Sequence, residues 1–325
     1  MVWARQAWVY HRQGQYGYAA ELCQKAQEAF DANVPGTKDS VSPPLINEKA
    51  EVYLILGTNH YETGRVEEAI CADELAIKYF RECGDRIGEM RALSHLAYVY
   101  GNRGRLAEYI EAERNVLQIY TDMNCFRATS CLIGLADAYR QLGEYDLSWE
   151  MLDRSLRLVD ANPDPLMQGY TLFLLGHWQR ERGERENARS SYEEARTIGD
   201  KLREPTLLGE PRRGLALLAM DEGNHREAQR LAETALQYVR SAGYRALEGQ
   251  ALITLGLIQE QIGNKDQSEA SLQEALQIYI SLEDTFDQAK IYLYLAGLYL
   301  HEGNTASAEQ YFFLSLSLSG KCGYD

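Results

Sequence analysis

Catalysis needs reactive side chains of matching type at a spacing that can bring them together. The six histidines, His11, His60, His95, His177, His225 and His301, are far apart, and none stands at metal-ligand spacing from another His or a Cys. A metal site would have to be assembled across distant segments. The six cysteines, Cys23, Cys71, Cys83, Cys125, Cys131 and Cys322, are scattered without a Cys-x-x-Cys. In a chain of this length they read as reduced thiols filling helix contacts, not as a disulfide framework. Gly320-Lys321-Cys322 has the Gly-Lys step of a phosphate-binding loop but lacks the upstream glycine and the following hydroxyl residue. Gly-x-Gly-x-x-Gly, Gly-x-Ser-x-Gly and His-Glu-x-x-His do not occur. Acidic pairs such as Glu67-Glu68 and Glu193-Glu194 read as solvated faces, not acid–base pairs. The segment from Arg180 to Arg213 interleaves its arginines with Glu181, Glu184, Glu186, Glu193 and Glu194, a mixed-charge surface. The residues therefore predict no enzyme and no cofactor.

Composition excludes further classes. The chain has 325 residues, of which 45% are apolar, and 33 basic against 48 acidic side chains give a net charge of −15. That charge argues against direct nucleic-acid binding, which draws on neutralising phosphates, and against docking on an anionic membrane. No stretch approaches 18 uncharged apolar residues, and the N-terminus lacks a signal-peptide pattern. The cytoplasm is the expected compartment.

The elements that would position any site show themselves as a period. Gly14, Gly64, Gly104, Gly143, Gly183, Gly223, Gly263 and Gly303 recur at separations of 50, 40, 39, 40, 40, 40 and 40. Seven residues before each stands Ala7, Gly57, Ala97, Ala136, Gly176, Ala216, Gly256 or Ala296, preceded by Leu in all but the first, where Gln6 stands. Five residues after each glycine comes a usually small residue (Ala19, Ala69, Tyr109, Ser148, Ala188, Ala228, Ser268, Ala308). Another follows seven further on: Ala26, Ala76, Val116, Ser155, Ala195, Ala235, Ala275 and Ser315. Small side chains let two antiparallel helices approach closely, and the glycine ends the first of them in a left-handed conformation. Each pair must then stack on the next to bury its apolar face.

These residues resemble the tetratricopeptide repeat. Leu96-Ala97-x2-Tyr100-x3-Gly104 and Leu295-Ala296-x2-Tyr299-x3-Gly303 match it well, and Trp3-x3-Ala7-x2-Tyr10-x3-Gly14 carries its aromatic end. The resemblance implies an all-α fold: an α-solenoid, a right-handed superhelix of eight antiparallel helix pairs. The departures are a period near 40 rather than about 34 residues and the missing terminal proline. Similar long repeats occur in kinesin light chains, in cell-polarity adaptors and in the sensor arrays of bacterial signal-transduction ATPases and related transcriptional regulators. The junctions Cys83-Gly84-Asp85 and Ala242-Gly243-Tyr244 look most like that last group.

The expected organisation is a single solenoid over 1–325. Its repeats lie near 1–30, 48–88, 89–127, 128–167, 168–207, 208–247, 248–287 and 288–325, with a Pro/Gly/Ser loop inserted at 31–47. Pro205 suits the first turn of a helix, and Pro211 should kink or delay the first helix of repeat six. The last helix, around Thr305–Ser319, carries Tyr311, Phe312, Phe313, Leu314, Leu316 and Leu318, and Gly323-Tyr324-Asp325 stands where a ninth repeat would begin. Two readings follow: a longer protein that continues, or self-association through the terminal helices.

The family convention implies that, with the turn glycine at position 15, positions 2, 5, 9 and 12 face the groove. In repeats three to six these include Arg91, Tyr98, Asp137, Arg140, Tyr170, Phe173, His177, Arg180 and Arg213. Arg and aromatics dominate binding hot spots, and Arg forks pair with carboxylates. One reading is a groove that binds an acidic or aromatic-containing peptide segment or a small anion. The other is that these residues are paired with acidic neighbours and only solvate the groove. The chaperone-tail clamp of the family is absent, since the matching sites carry Leu54, Thr58, Ser94 and Tyr98. The function expected is a non-catalytic protein- or peptide-binding scaffold, the sensor or partner-recognition region of a larger bacterial regulator. The alternative is a self-contained receptor for a small molecule or signalling peptide that controls transcription.

Overall fold

The computed structural model describes residues 2–32, 43–123 and 125–321. Every regular element among them is helical, and the chain forms two compact units. The first runs to Cys125 without the turn Asn102–Arg105. It holds α1 (Val2–Arg12), α2 (Tyr16–Ala32), α3 (Pro43–Glu62), α4 (Val66–Cys83), α5 (Arg86–Gly101) and α6 (Leu106–Asp122). The second comprises that turn and the chain from Phe126 onward. It holds α7 (Thr129–Gln141), α8 (Tyr145–Ala161), α9 (Pro165–Glu181), α10 (Arg185–Leu202), α11 (Pro205–Asp221), α12 (His225–Ala242), α13 (Arg245–Ile262), α14 (Lys265–Ser281), α15 (Thr285–His301) and α16 (Thr305–Lys321).

The periodic glycines close the first helix of each pair. Gly183 has φ 78°, its N–H donates to the Arg180 carbonyl, and the Glu184 N–H donates to that of Gln179, both at 2.9 Å. This Schellman arrangement satisfies carbonyls that the helix end would leave orphaned. Gly143, Gly223 and Gly263 repeat it. At the turn between pairs the same left-handed conformation falls to Gly84 and Gly243 in two repeats, but to Arg203 (φ 55°) and Glu283 (φ 54°) in two others.

Starts are marked by side chains. Asp164 accepts from the backbone N–H groups of Leu166 and Met167 ahead of α9, and Glu204 accepts from that of Leu207 ahead of α11. Pro165 and Pro205 stand at the first helical positions, where their missing N–H is not needed.

Two expectations are corrected. The inserted loop read at 31–47 ends earlier, because α3 begins at Pro43 and takes in Pro43–Asn47. A proline fits a first turn, so Pro43-Pro44 starts this helix; positions 33–42 lie outside the described residues. Pro211 does not delay its helix, since α11 starts at Pro205 and continues through it. Pro211 cannot donate to the Leu207 carbonyl. That carbonyl packs where a Cβ on Gly199 would come within 2.4 Å of it, and Arg212 Nη1 donates to the neighbouring Leu208 carbonyl at 2.8 Å.

The small positions are the contact surface. Ala188, Ala195, Ala216, Ala228 and Ala275 are wholly buried. At one such position serine replaces alanine and its hydroxyl is used: Ser148 Oγ donates to the Ala136 carbonyl at 2.8 Å. In the second unit Leu215, Leu252, Ile258, Leu272 and Leu295 fill the core, each adding about 1.5–3 kcal/mol by leaving water. In the first, Ala4, Ala7, Cys23, Ala26, Val52 and Ile55 do the same. Burial pushes the Cys23 thiol up to about 12.

A close contact is made by Tyr192, a fully buried ring against α9 and α11. A Cβ at Gly176 would lie 2.6 Å from it, and one at Gly214 2.4 Å. Gly176→Ala should therefore destabilise the second unit. The overpacking cost of about 1–3 kcal/mol exceeds the gain of about 1 kcal/mol at most from helix propensity. Gly297, in the interior of α15, has nothing within 4 Å of its would-be Cβ. Gly297→Ala should stabilise by about 0.5–1 kcal/mol. Urea midpoints of the two variants check both signs; shifts in the same direction would refute this assignment of the contacts.

Candidate functional site

The second unit holds a cavity of about 780 Å³. Its walls come mainly from the first helix of each pair, α7, α9, α11, α13 and α15, with Tyr145 of α8 and Ser315 and Ser319 of α16. On α9 the lining residues Tyr170, Phe173, His177 and Arg180 follow the spacing that puts side chains on one helix face. Asp137 and Arg140 reach it from α7 and Arg213 from α11, so seven of the nine expected groove residues meet here.

Arg91 and Tyr98 do not join them; both lie on α5 of the first unit. Arg91 forks onto Glu51 at 2.6 and 3.3 Å and lines a separate cavity of about 390 Å³. Tyr98 is exposed, with its ring edge-on to Tyr61 at 5.3 Å.

The charged wall is an ordered network. Arg140 donates from Nε and Nη2 to Asp137 Oδ1 at 3.1 and 2.7 Å, and from Nη1 to Glu181 Oε1 at 2.5 Å. Arg180 donates from Nε and Nη2 to Asp221 at 2.7 and 3.1 Å. Arg213 donates to Glu210, with its shortest contact at 2.6 Å. Its Nη2 also lies 3.3 Å from His177 Nε2. Every arginine has an acidic partner, so the pairing reading holds for contacts within the protein. It does not exhaust them, because a guanidinium carries five N–H donors.

His177 is central and only 4% exposed. Arginine can only donate, so Nε2 accepts from Arg213, and Nδ1 carries the proton that it donates to Tyr192 Oη at 2.9 Å. Burial, then the positive charges of Arg213, Arg140, Arg180 and Lys290, holds its pKa well below the usual histidine value. For Arg213 burial opposes the charge, but Glu210 outweighs it and the pKa is raised.

The lining also has an apolar part: Leu217 and Met220 from α11, Leu247, Ile253 and Leu257 from α13, and Leu293 from α15. The sequence reading had not named these residues, nor Glu210 and Lys290. The signal was available, because the same groove positions continued through repeats six to eight give Glu210, Leu217, Met220, Ile253, Leu257, Lys290 and Leu293. Among the described residues no group of three His, Cys, Asp or Glu side chains lies close enough to hold a metal ion.

The tetratricopeptide-repeat family profile matches residues 128–201 and 207–281. Several solved structures share the fold. A Rap protein complexed with competence and sporulation factor aligns with TM-score 0.68 and 14% identity, over 99% of this chain and 98% of that one. The apo quorum sensor NprR from B. thuringiensis aligns with TM-score 0.69 and 16% identity, over 98% and 86%. Aspartyl phosphate phosphatase F from Bacillus subtilis aligns with TM-score 0.67 and 14% identity, over 97% and 92%. No curated protein sequence matches the chain.

The neutral state of His177 sets a pH dependence. Its folded pKa is depressed, so below the ordinary value of about 6.5 the unfolded chain takes up a proton that the folded chain refuses. Stability from this group is complete above that value and falls as the pH drops. His177→Gln keeps an acceptor for Arg213 and a donor for Tyr192 but does not titrate. Urea unfolding from pH 8 to pH 5 should show wild type losing stability relative to the variant below pH 6.5, at up to about 1.4 kcal/mol per pH unit. Parallel curves would show that His177 is not held neutral.

Proposed function

From the premise that this chain is an array of tetratricopeptide repeats of the long type, we propose that it is a non-catalytic protein- or peptide-binding scaffold. In this reading it is the sensor or partner-recognition region of a larger bacterial regulator in the cytoplasm, and the second-unit cavity receives the partner. The observation that carries the reading is the cavity itself. It offers about 780 Å³, within the common range for ligand sites, lined by paired, hydrogen-bonded charged side chains together with apolar ones. Side chains already held by partners lose little freedom on binding.

The fold is also that of the Rap protein solved with competence and sporulation factor and of the NprR quorum sensor, which favours a peptide as partner. The same fold serves aspartyl phosphate phosphatase F, so fold alone does not decide against catalysis. What favours a binding role is His177: both ring nitrogens are already hydrogen-bonded, so it is not free to act as a base. No described helix is long and apolar enough to cross a membrane.

A second contact is included in the proposal. Phe312, Phe313, Leu314 and Leu316 on α16 are exposed, and self-association through this face is expected to give concentration-dependent light scattering. A strictly monomeric species at high concentration would remove it.

The main reading is tested by passing a pooled random peptide library over the immobilised chain and identifying the retained peptides by mass spectrometry. Retained peptides should lose at least about tenfold in affinity for Leu257→Glu and for Leu293→Glu, each of which puts a charge on the apolar wall. Half-exposed Leu293 makes the second variant a mild one for folding. A library that yields nothing, or peptides indifferent to both substitutions, overturns the reading.

A further inference from the structure

Resting on the reading of this cavity as the binding site, we propose that its ligand is a peptide segment with one carboxylate beside an apolar stretch, bound in one orientation. The carboxylate lies at Arg180 and Arg213 next to His177, and the apolar stretch lies over Leu217, Leu257 and Leu293.

Unused donors mark the anion end. Asp221 engages Nε and Nη2 of Arg180, while Glu210 and His177 engage Nε and Nη2 of Arg213. Nη1 of each has no hydrogen-bond partner in the protein among the described residues. Both side chains are less than one-fifth exposed, at 19% and 12%, and both line the cavity. A charge-assisted bond to each is stronger than a neutral one. His177 reports the sign of the local field, since the charges that shift it are Arg213, Arg140, Arg180 and Lys290, all positive.

The charge balance favours a monoanion. The lining's four cations (Arg140, Arg180, Arg213, Lys290) meet three lining carboxylates (Asp137, Glu181, Glu210), and Asp221 and Asp287 pair with Arg180 and Lys290 from beside them. The site therefore offers hydrogen-bond donors, not an uncompensated positive charge. A phosphate dianion would bury more negative charge there than one carboxylate does. Leu217, Met220, Leu247, Ile253, Leu257 and Leu293 offer the apolar surface over which the rest of the ligand is buried.

The carboxylate has two sources in a peptide, the C-terminus or an acidic side chain, and the test separates them. Isothermal titration of the whole chain uses four probes: acetyl-Leu-Phe-Leu-Leu with a free carboxylate, its C-terminal amide, and the amide with a terminal Glu or a terminal phosphoserine added. At least one carboxylate probe should bind tenfold or more tightly than the neutral amide. Whichever of the two does so identifies the source, and the phosphoserine probe should be weaker than it. In Arg180→Gln the acid-to-amide affinity ratio should fall towards one; should that variant misfold, the four-probe comparison on the native chain still decides. If the amide matches both acids, or phosphoserine binds best, the single-carboxylate proposal is overturned while the cavity remains a peptide site. If no probe binds, the proposal also falls, and the retained-library experiment then decides separately whether the cavity binds peptides.

Discussion

The site depends on one close approach, the Tyr192 ring against the backbones of Gly176 and Gly214. Any side chain at either glycine would come within 2.6 Å of the ring. Because the ring fits there, its hydroxyl reaches His177 Nδ1 and accepts the hydrogen bond of the tautomer that Arg213 requires. That tautomer presents a bare Nε2 to Arg213, which Glu210 holds from the other side. Two absent side chains thus determine where a guanidinium points in a cavity wall contributed by other helices. Tyr192 is itself held in the uncharged form, its pKa raised chiefly by burial.

A second constraint follows from the period. Arg140 pairs with Glu181, Arg180 with Asp221, and His301 with Glu260, each 41 residues apart. Nearby places on successive first helices come side by side, so these contacts tie α7 to α9, α9 to α11 and α13 to α15. Exposed pairs of this kind add little to stability. Those of Arg140 and Arg180 are mostly shielded from solvent and also line the cavity. A ligand that draws on Arg180 therefore bears on the junction between two repeats as well as on the site, which is the kind of coupling a sensor needs.

Much of the fold was legible because it rests on backbone conformation and small residues. The eight turn glycines and the alanines at fixed offsets specify helix pairs whatever the surface carries. The site was legible in part. Position within the repeat brought together Asp137, Arg140, Tyr170, Phe173, His177, Arg180 and Arg213, because groove-facing positions are set by helix geometry. It failed for Arg91 and Tyr98, since the same position in another repeat belongs to another unit. The apolar wall escaped attention because Leu217, Leu257 and Leu293 look like ordinary core residues until their helices are seen to face the cavity. Pairing partners such as Glu210 and Asp221 could not be chosen in advance from 48 acidic residues.

The glycine device appears in both units with different chemistry, which bears on how acid affects the protein. In the first unit a Cβ at Gly57 would lie 2.2 Å from Asp73 Oδ1, and Asp73 Oδ2 contacts His95 Nδ1 at 2.6 Å. Gly57 and Gly176 occupy equivalent repeat positions, as do Asp73 and Tyr192. In each case the missing side chain on a first helix lets a polar group of the second helix reach a histidine. Burial, opposed by His95, lifts the Asp73 pKa to about 6, and burial with the neighbouring Asp287 lifts that of Asp284 to about 7. A carboxyl raised in the folded state favours folding in acid and loses that contribution as the pH rises through its folded pKa. His177 acts in the opposite sense, losing stability as the pH falls below its unfolded value. Between pH 5 and 7 these contributions oppose one another, so a shallow pH profile for the whole chain is compatible with strongly perturbed groups in each unit.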